Sequence, residues 1–232
     1  MNILFAISEA YPFAKTGGLG DVGGSLPAAL NEQCLDVRVI MPRYSSIPME
    51  LQEQIEHVTT FKVELSWRKL KCNLSKLVSN NVCYYFIENE YYFSRDTFYG
   101  FDDDGERFAF FSKAVLESLT KIKDFQPDII HCNDWHTALI PLLIKENYGN
   151  NPFYFGIKTV FTIHNLKHQG VFPAKVFEDV LGLEGHVAAW DKLEFYGGIN
   201  YMKAALLSAD YLTTVSQTYA HEILHPYFGE QL

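Results

Sequence analysis

The chain carries the glycine-rich stretch KTGGLGDVGG at residues 15–24, between a short apolar run and a helical pattern. Five glycines lie within eight consecutive positions, and glycine permits positive φ angles and close approach of a ligand to the backbone. A helix that begins here points its free N–H groups at the loop, where they favour an anion or a sugar hydroxyl. Lys15 adds a cation and Asp21 adds an acceptor. The stretch therefore predicts a strand-to-helix loop that binds a ligand, rather than a tight connection alone.

The segments on either side of this stretch complete a βαβ unit. Residues 2–7 are apolar and long enough for a buried strand, and residues 22–30 have a helical pattern. Residues 36–41 form a second apolar run that ends at Pro42. A strand, a loop, a helix and a second strand in this order predict a parallel sheet.

The middle of the chain has a different pattern. Three strand-like runs, at residues 58–65, 70–78 and 82–88, are separated by short polar breaks, which predicts an antiparallel excursion from the parallel core. Residues 89–105 are aromatic and acidic without periodicity, and a long segment of this kind is typical of a binding loop.

Alternating strand and helix patterns return after residue 105. We expect helices at residues 108–122, 135–145, 176–181, 199–207 and 217–224, and strands at residues 128–132, 158–163 and 211–215. The predicted fold class is α/β: a Rossmann-like, doubly wound and mainly parallel sheet with an antiparallel β excursion. Ligands bind at the carboxyl ends of such strands, so the candidate site residues follow Ile7, Cys132, Ile163 and Val215.

The sequence GLGDVG, residues 18–23, matches the G-x-G-x-x-G fingerprint of dinucleotide-binding proteins. That fingerprint should follow the first strand directly, whereas residues 8–17 intervene here. The second strand should end near an acidic residue for the ribose, yet it ends at Met41, Pro42 and Arg43. Arg43 would suit a 2′-phosphate, so an NADP-type oxidoreductase domain stays open as a minor alternative.

A second motif, HCNDWH at residues 131–136, joins a predicted strand to a predicted helix. The carboxylate of Asp134 can accept hydrogen bonds from a sugar. Asn133 or Asp134 could instead cap the helix, and the two roles are compatible because both use the exposed strand end. A zinc site formed by His131, Asp134 and His136 is a weaker alternative, because the spacing is not the i, i+4 pair of a helical site.

A third motif, TIHNLKHQG at residues 162–170, follows a β-branched strand that ends at His164 and Asn165. Two adjacent hydrogen-bonding side chains at a strand end can divide the hydroxyls of one sugar between them. The alternative is a structural histidine whose hydrogen bonds go to the backbone.

Composition and missing motifs exclude several other classes. The net charge of −9 argues against binding to nucleic acid or to an anionic membrane. The four cysteines show no C-x-x-C spacing, the first residues lack a basic signal region, and no apolar run reaches the length of a membrane helix. We therefore expect a cytoplasmic protein with reduced thiols. Walker A, G-x-S-x-G and H-E-x-x-H motifs are absent from the sequence.

Together, the three motifs resemble a known family. KTGGLGDV, NDWH and FTIHNLKHQG, in this order and at these spacings, look like bacterial glycogen synthases and plant starch synthases. The resemblance covers the whole chain and extends to MPRY at residues 41–44, FAFFSKA at 108–114 and NYMKAALLSADYLTTVSQTYAHEI at 200–223. It implies a GT-B fold of two facing Rossmann-like domains. It also implies transfer of glucose from ADP-glucose to the non-reducing end of an α-1,4-glucan such as glycogen, with retention and without a metal or other cofactor.

The resemblance also implies roles for individual residues. Asp134 matches an active-site aspartate, and His164 and Asn165 match the pair that holds the glucosyl unit. Lys15, Gly18 and Asp21 match positions of the donor-binding loop. Tyr99 matches a tyrosine on the acceptor side.

In this family a second domain of similar size carries most of the residues that bind the diphosphate. Residues 1–232 correspond to the N-terminal, acceptor-side domain, so we expect the C-terminal nucleotide-binding domain to be a partner missing from this chain. An acidic domain with Lys15 as the cation of its loop is poorly equipped to bind ADP, and we expect the chain alone to be inactive. These residues do not distinguish ADP-glucose from UDP-glucose. A glucan-binding module without chemistry is the competing interpretation.

Overall fold

A computed structural model describes residues 1–183 and 185–232, and an eight-stranded sheet forms the centre of this part of the chain. Three further short strands form a separate antiparallel sheet. The strands are β1 (Asn2–Ala6), β2 (Asp36–Pro42), β3 (Glu56–Leu65), β4 (Arg68–Ser79), β5 (Val82–Glu88), β6 (Ile129–Asn133), β7 (Lys158–Ile163), β8 (Val171–Pro173), β9 (Glu194–Phe195), β10 (Gly198–Asn200) and β11 (Tyr211–Thr214).

Helices connect most of these strands, and two single 3₁₀ turns lie at Trp135–Thr137 and Pro152–Tyr154. Within the described ranges no helix is long and apolar enough to cross a bilayer. The α-helices are α1 (Gly18–Asn31), α2 (Met49–Gln52), α3 (Glu90–Phe93), α4 (Asp104–Leu119), α5 (Leu139–Glu146), α6 (Lys175–Asp179), α7 (Val187–Leu193), α8 (Tyr201–Ser208) and α9 (Gln217–Glu222).

The large sheet has the strand order β11-β7-β6-β1-β2-β5-β4-β3. All neighbouring strands are parallel except at β4, which pairs antiparallel with β3 and with β5. The chain passes from β1 to its neighbour β2, then to the edge strand β3, and comes back through β4 to β5 beside β2. It later places β6 on the other side of β1. This is the doubly wound order, in which right-handed crossovers cover both faces and a crevice opens at the switch point between β1 and β6.

The central strand β1 is apolar on both of its faces. Leu4, Phe5 and Ala6 have no exposed surface. A strand with parallel neighbours on both sides and helices on both faces requires a continuous apolar run rather than an alternating one. The run at residues 2–7 therefore takes the middle of the sheet, and its buried side chains join one continuous core.

The structure confirms the predicted α/β class, the mainly parallel sheet and the antiparallel excursion. The excursion is smaller than we expected. Residues 82–88 form β5, which pairs in parallel with β2 and so belongs to the parallel core. Only β4 reverses direction, and it pairs with β3, the edge strand that precedes it in the chain.

The predicted start of the first helix, at residue 22, is wrong, because α1 begins at Gly18 and includes most of the glycine stretch. A Cβ atom at Gly23 would clash with the backbone oxygen of Glu9, and one at Gly24 would lie 2.6 Å from that of Tyr11. These glycines let α1 pack directly on the backbone that follows β1. That close packing outweighs the poor helix propensity of glycine, on which the expected boundary depended.

The segment at residues 89–105, which we expected to be a long loop without periodicity, is a loop only between α3 and α4. The segment begins with α3 and is held by Arg107, a fully buried residue of α4. The Arg107 guanidinium donates to the carbonyl oxygens of Tyr92, at 2.7 Å, and Phe98, at 3.1 Å, and contacts the carboxylate of Asp104. A buried charge with several partners fixes the loop from inside the protein.

The small sheet of β8, β10 and β9 and the helix α7 were not predicted. The expected helix at residues 199–207 divides into the end of β10 and the helix α8. Strands of two or three residues are too short to show a period of two in the sequence.

Candidate active site

A cavity of about 720 Å³ opens at the carboxyl ends of the parallel strands. Its walls come from the segments that follow β1, β6, β7 and β11, from the start of α1 and from the loop before α4. The cavity lies at the switch point between β1 and β6, where doubly wound sheets bind ligands. Five of the seven predicted site residues line it: Gly18, Tyr99, Asp134, His164 and Asn165.

The other two predicted residues, Lys15 and Asp21, do not line this cavity. The Lys15 Nζ atom lies 2.7 Å from Oδ1 of Asp21, and both side chains are largely exposed. An exposed ion pair of this kind contributes little stability because solvent screens it. Lys15 can therefore exchange Asp21 for an anionic ligand at small cost.

The glycines of the stretch divide into two groups. A Cβ atom added at Gly17 or Gly18 would meet no atom within 4 Å, whereas one at Gly20, Gly23 or Gly24 would press on residues 9–15. None of the five has a φ angle in the left-handed region. The first two glycines thus leave open space at the amino end of α1, where backbone N–H groups can meet a ligand.

The dinucleotide alternative does not fit this arrangement. Gly18, Gly20 and Gly23 of the G-x-G-x-x-G match lie inside α1, not in a turn that directly follows β1. Arg43, the candidate partner of a 2′-phosphate, lies 2.7 Å from the carboxylate of Glu88. The match to the fingerprint is therefore coincidental: Gly20 and Gly23 serve the packing of α1, and Gly18 is at its amino end.

Glu9, which sequence analysis missed, is central to the cavity wall. Its carboxylate is buried and accepts hydrogen bonds from the Thr16 backbone N–H, from the Thr16 hydroxyl at 2.7 Å and from the Tyr99 hydroxyl at 2.8 Å. The Tyr99 hydroxyl lies equally close, at 2.8 Å, to that of Ser8. Burial, together with the neighbouring Tyr44 and Glu9, raises the pKa of Tyr99. The signal available in the sequence was an acidic residue just after the first strand.

The backbone of Asp134 is held in a rare conformation. Its φ angle is 56° and its ψ angle 178°, a region that costs a residue with a side chain about 1–3 kcal/mol. The helix-cap alternative is wrong, because the Asp134 side chain makes no capping hydrogen bond. Its Oδ1 atom instead accepts the backbone N–H groups of His164, at 2.8 Å, and Asn165, at 3.4 Å. Burial raises the pKa of Asp134 to about 7.

His164 and Asn165 follow β7 directly, as expected. The His164 ring contacts the Asn133 side chain, with 2.9 Å between Nε2 and Oδ1, and burial lowers the pKa of His164 to about 4. The Asn165 Oδ1 atom accepts the N–H of Lys167 at 3.1 Å, so the amide nitrogen is the group that Asn165 can offer to a ligand. The alternative interpretation expected the ring of His164 to bond to the backbone, whereas it bonds to the side chain of Asn133.

The zinc alternative is not supported by the geometry. The His131 Nε2 atom lies 2.6 Å from the hydroxyl of Thr162, and His136 is buried with its Nδ1 atom unpartnered. Burial lowers the pKa of both histidines, that of His131 to about 4. Among residues 1–183 and 185–232, no group of three His, Cys, Asp or Glu side chains is arranged to hold a metal ion.

The whole sequence matches a described protein family. A family model for the starch synthase catalytic domain matches residues 2–232. The chain is 56% identical to a glycogen synthase of Desulfitobacterium hafniense and 50% identical to one of Bacillus subtilis, each over 232 residues. These alignments cover 100% of this chain and 50% and 48% of the relatives. The chain thus spans about half the length of the curated relatives it matches.

Solved structures agree with this match. The catalytic domain of starch synthase IV from Arabidopsis thaliana, bound to ADP and acarbose, superimposes with a TM-score of 0.89 at 29% identity. The superposition covers 100% of this chain and 48% of that one. A sucrose-phosphate synthase from Thermosynechococcus elongatus gives a TM-score of 0.52 at 14% identity over 96% of this chain and 44% of that one, a likeness of fold alone.

Proposed function

The chain belongs to the family of starch synthase catalytic domains, and we propose that it forms the N-terminal, acceptor-side domain of a retaining glucosyltransferase. The donor is ADP-glucose, and the acceptor is the non-reducing end of an α-1,4-glucan such as glycogen. The ADP and acarbose held by the Arabidopsis neighbour support this choice of substrates. The twofold greater length of the relatives supports a second, nucleotide-binding domain that completes a GT-B arrangement.

The proposal rests on one observation: the Asp134 side chain is hydrogen-bonded to the backbone of the two residues that match the sugar-binding positions. Its Oδ1 atom accepts the backbone N–H groups of His164 and Asn165, so the end of β6 and the end of β7 form one rigid wall. Groups fixed before a ligand arrives lose less conformational freedom on binding. They also need no rearrangement as charge develops in the reaction.

Glucosyl transfer builds positive charge at the anomeric carbon and negative charge on the leaving diphosphate. In this proposal the wall of His164 and Asn165 binds hydroxyls of the glucosyl unit and orients it. Asp134 lines the cavity, and its Oδ2 atom has no hydrogen-bond partner among the residues described here. A carboxylate beside the sugar stabilises the positive charge of the transition state and accepts a hydrogen bond from a sugar hydroxyl.

The leaving diphosphate needs more positive charge than the walls of this cavity supply. Arg107 is fully buried and already bonded to backbone carbonyls, and Lys15 stands outside the cavity. The amino end of α1 contributes N–H groups but no full charge. We therefore expect the nucleotide-binding domain to bring the cations, and the 232-residue chain by itself to be inactive.

The test measures transfer of labelled glucose from ADP-glucose to maltoheptaose by the complete polypeptide that the gene encodes. The variant His164→Ala should lower kcat by at least about a hundredfold, because the ring acts on the substrate. It also leaves the buried Asn133 oxygen without its partner, so it should cost about 1–3 kcal/mol of stability while the protein stays folded at the assay temperature. The matched control is His221→Ala, in the exposed helix α9, which should retain activity. Equal activity of His164→Ala and the control would refute the assignment.

A second experiment distinguishes a glucan-binding module from one domain of an enzyme. The 232-residue chain is assayed for transfer and titrated with maltoheptaose by calorimetry. Absence of transfer is expected whether or not glucan binds. Transfer at a rate near that of the complete polypeptide would contradict the two-domain proposal. A complete polypeptide that binds glucan without any transfer would establish the binding module instead. Replacing ADP-glucose with UDP-glucose in the same assay identifies the nucleotide.

A further inference from the structure

Asn133 is a fully buried residue at the carboxyl end of β6. Its amide nitrogen donates to the backbone oxygen of Ala6, at 3.1 Å, and to that of His131, at 3.3 Å. Both amide hydrogens are therefore used by carbonyl oxygens. The reversed orientation of the amide would place its oxygen against these two carbonyls, which repel it. The Asn133 Oδ1 atom must therefore point the other way.

The partner on that side is the imidazole of His164. The distance between Asn133 Oδ1 and His164 Nε2 is 2.9 Å. An amide oxygen only accepts hydrogen bonds, so the hydrogen must be on Nε2. In a neutral imidazole the other nitrogen, Nδ1, then carries a lone pair and no hydrogen.

The environment supports a neutral ring held in one place. Asp134 fixes the His164 backbone through its N–H, and Asn133 fixes the far end of the side chain. Burial lowers the pKa of His164 to about 4, so the ring is neutral near pH 7. Nδ1 has no partner among the described residues, and it is not one of the fully buried unpartnered atoms. Because the ring lines the cavity, Nδ1 is the nitrogen left for a ligand.

We propose that Asn133 is a positioning residue that locks His164 in the Nε2–H tautomer, so that Nδ1 acts on the substrate only as a hydrogen-bond acceptor. His164 then binds a hydroxyl that donates to it and does not serve as a proton donor in the reaction. The tautomer is set by Asn133 and does not depend on a bound ligand. Only the identity of the hydroxyl as part of a sugar rests on the proposed function.

The test uses the 232-residue chain labelled with ¹⁵N in its histidines, at pH 7. Long-range ¹H–¹⁵N correlation spectra distinguish a protonated ring nitrogen from one that carries a lone pair. For His164 we expect a protonated Nε2 and an unprotonated Nδ1 as the single state. A protonated Nδ1, or a mixture of the two tautomers, would overturn the proposal. Neither result depends on catalytic activity.

The role of Asn133 itself is tested with Asn133→Ala, and Cys132→Ala is the control from the same buried strand. We expect Asn133→Ala to give mixed tautomers at His164, and at least a tenfold lower kcat in the complete polypeptide. Cys132→Ala should keep the single tautomer. A pure Nε2–H tautomer with unchanged kcat in Asn133→Ala would remove Asn133 from the assignment.

If Asn133→Ala does not fold, the unsubstituted chain still decides the question. The Nε2 hydrogen of His164 should then exchange slowly with solvent and show a nuclear Overhauser contact to the Asn133 side chain. A rapidly exchanging Nε2 hydrogen without that contact would contradict the proposed hydrogen bond.

Discussion

The hydroxyl of Tyr99 donates to the buried carboxylate of Glu9 over 2.8 Å, and this bond joins two loops that both line the cavity. Glu9 follows β1 and also holds Thr16 of the glycine stretch, whereas Tyr99 belongs to the loop before α4. The Tyr99 ring also packs on His136, with 4.4 Å between ring centroids. One carboxylate therefore couples the glycine stretch to the loop before α4, the two segments for which the family resemblance implies donor-side and acceptor-side roles.

We predict that Glu9→Ala and Tyr99→Phe destabilise the chain in a coupled manner. Each loses hydrogen bonds to a buried charged group, so each should cost about 1–3 kcal/mol of unfolding free energy. The double variant should cost about 1–2 kcal/mol less than the sum of the two, because the shared bond is lost only once. Urea denaturation measures all four proteins. Tyr99→Phe combined with the distant Thr120→Ala is the additive control, and additivity in the Glu9 pair would show that the two loops are independent.

Replacement by alanine should affect stability differently at the packed glycines of α1 and at the open glycine Gly18. Gly23→Ala should destabilise the chain by about 1–3 kcal/mol, because the new Cβ meets the backbone of Glu9 and lies 3.0 Å from Cα of Ala10. Gly18→Ala has open space and a helical backbone, so its stability should be unchanged or slightly higher. In the complete polypeptide Gly18→Ala should still reduce glucosyl transfer, because the methyl group occupies the space left for the ligand. Full activity of a stable Gly18→Ala would argue against ligand contact at this position.

Sequence patterns predicted the parts of the site that lie at strand ends. The switch from a β-branched run to His164 and Asn165 identified the end of β7 with its correct last residue, Ile163. Asp134 was found for the same reason. These predictions succeed because the end of a buried parallel strand is a sharp local change from apolar to polar residues.

The parts that sequence did not predict depend on tertiary contacts. The start of α1 at Gly18 is fixed by its packing on residues 9–11, and the order of the 89–105 segment depends on the buried guanidinium of Arg107. From the sequence, Asn133 was a candidate helix cap. Its side-chain partner, His164, lies 31 positions further along the chain, so no local pattern shows the contact. Such contacts have no local periodicity, so the residues that position the site are harder to predict than those that line it.

The buried carboxylate of Asp134 predicts a pH-dependent gain in stability for Asp134→Asn. The pKa of this group is raised from 3.8 to about 7, so between these values the folded chain holds a proton that the unfolded chain releases. The unsubstituted chain therefore loses stability as pH rises through this window, and the loss levels off above pH 7. Relative to it, Asp134→Asn should gain about 2–4 kcal/mol between pH 4 and pH 8.

This comparison is made by urea denaturation of both proteins at several pH values, so that other titrating groups cancel in the difference. The same substitution should abolish most glucosyl transfer by the complete polypeptide, because the charge beside the sugar is lost. A stability difference that stays constant from pH 4 to pH 8 would show that Asp134 titrates normally.

The exposed ion pair between Lys15 and Asp21 predicts that Lys15→Gln separates function from stability. Loss of a pair that solvent screens should cost less than about 1 kcal/mol and shift the thermal midpoint by no more than about 4 °C. If Lys15 binds a donor phosphate, kcat/KM for ADP-glucose in the complete polypeptide should fall by about ten- to a hundredfold, the usual worth of a hydrogen bond between charged groups. Lys69→Gln is the matched control, because Lys69 forms a similar exposed pair with Glu64 at 3.1 Å and does not line the cavity. Equal kcat/KM for the two variants would mean that Lys15 is only a surface residue of the loop before α1. The cations for the diphosphate would then all come from residues outside this stretch.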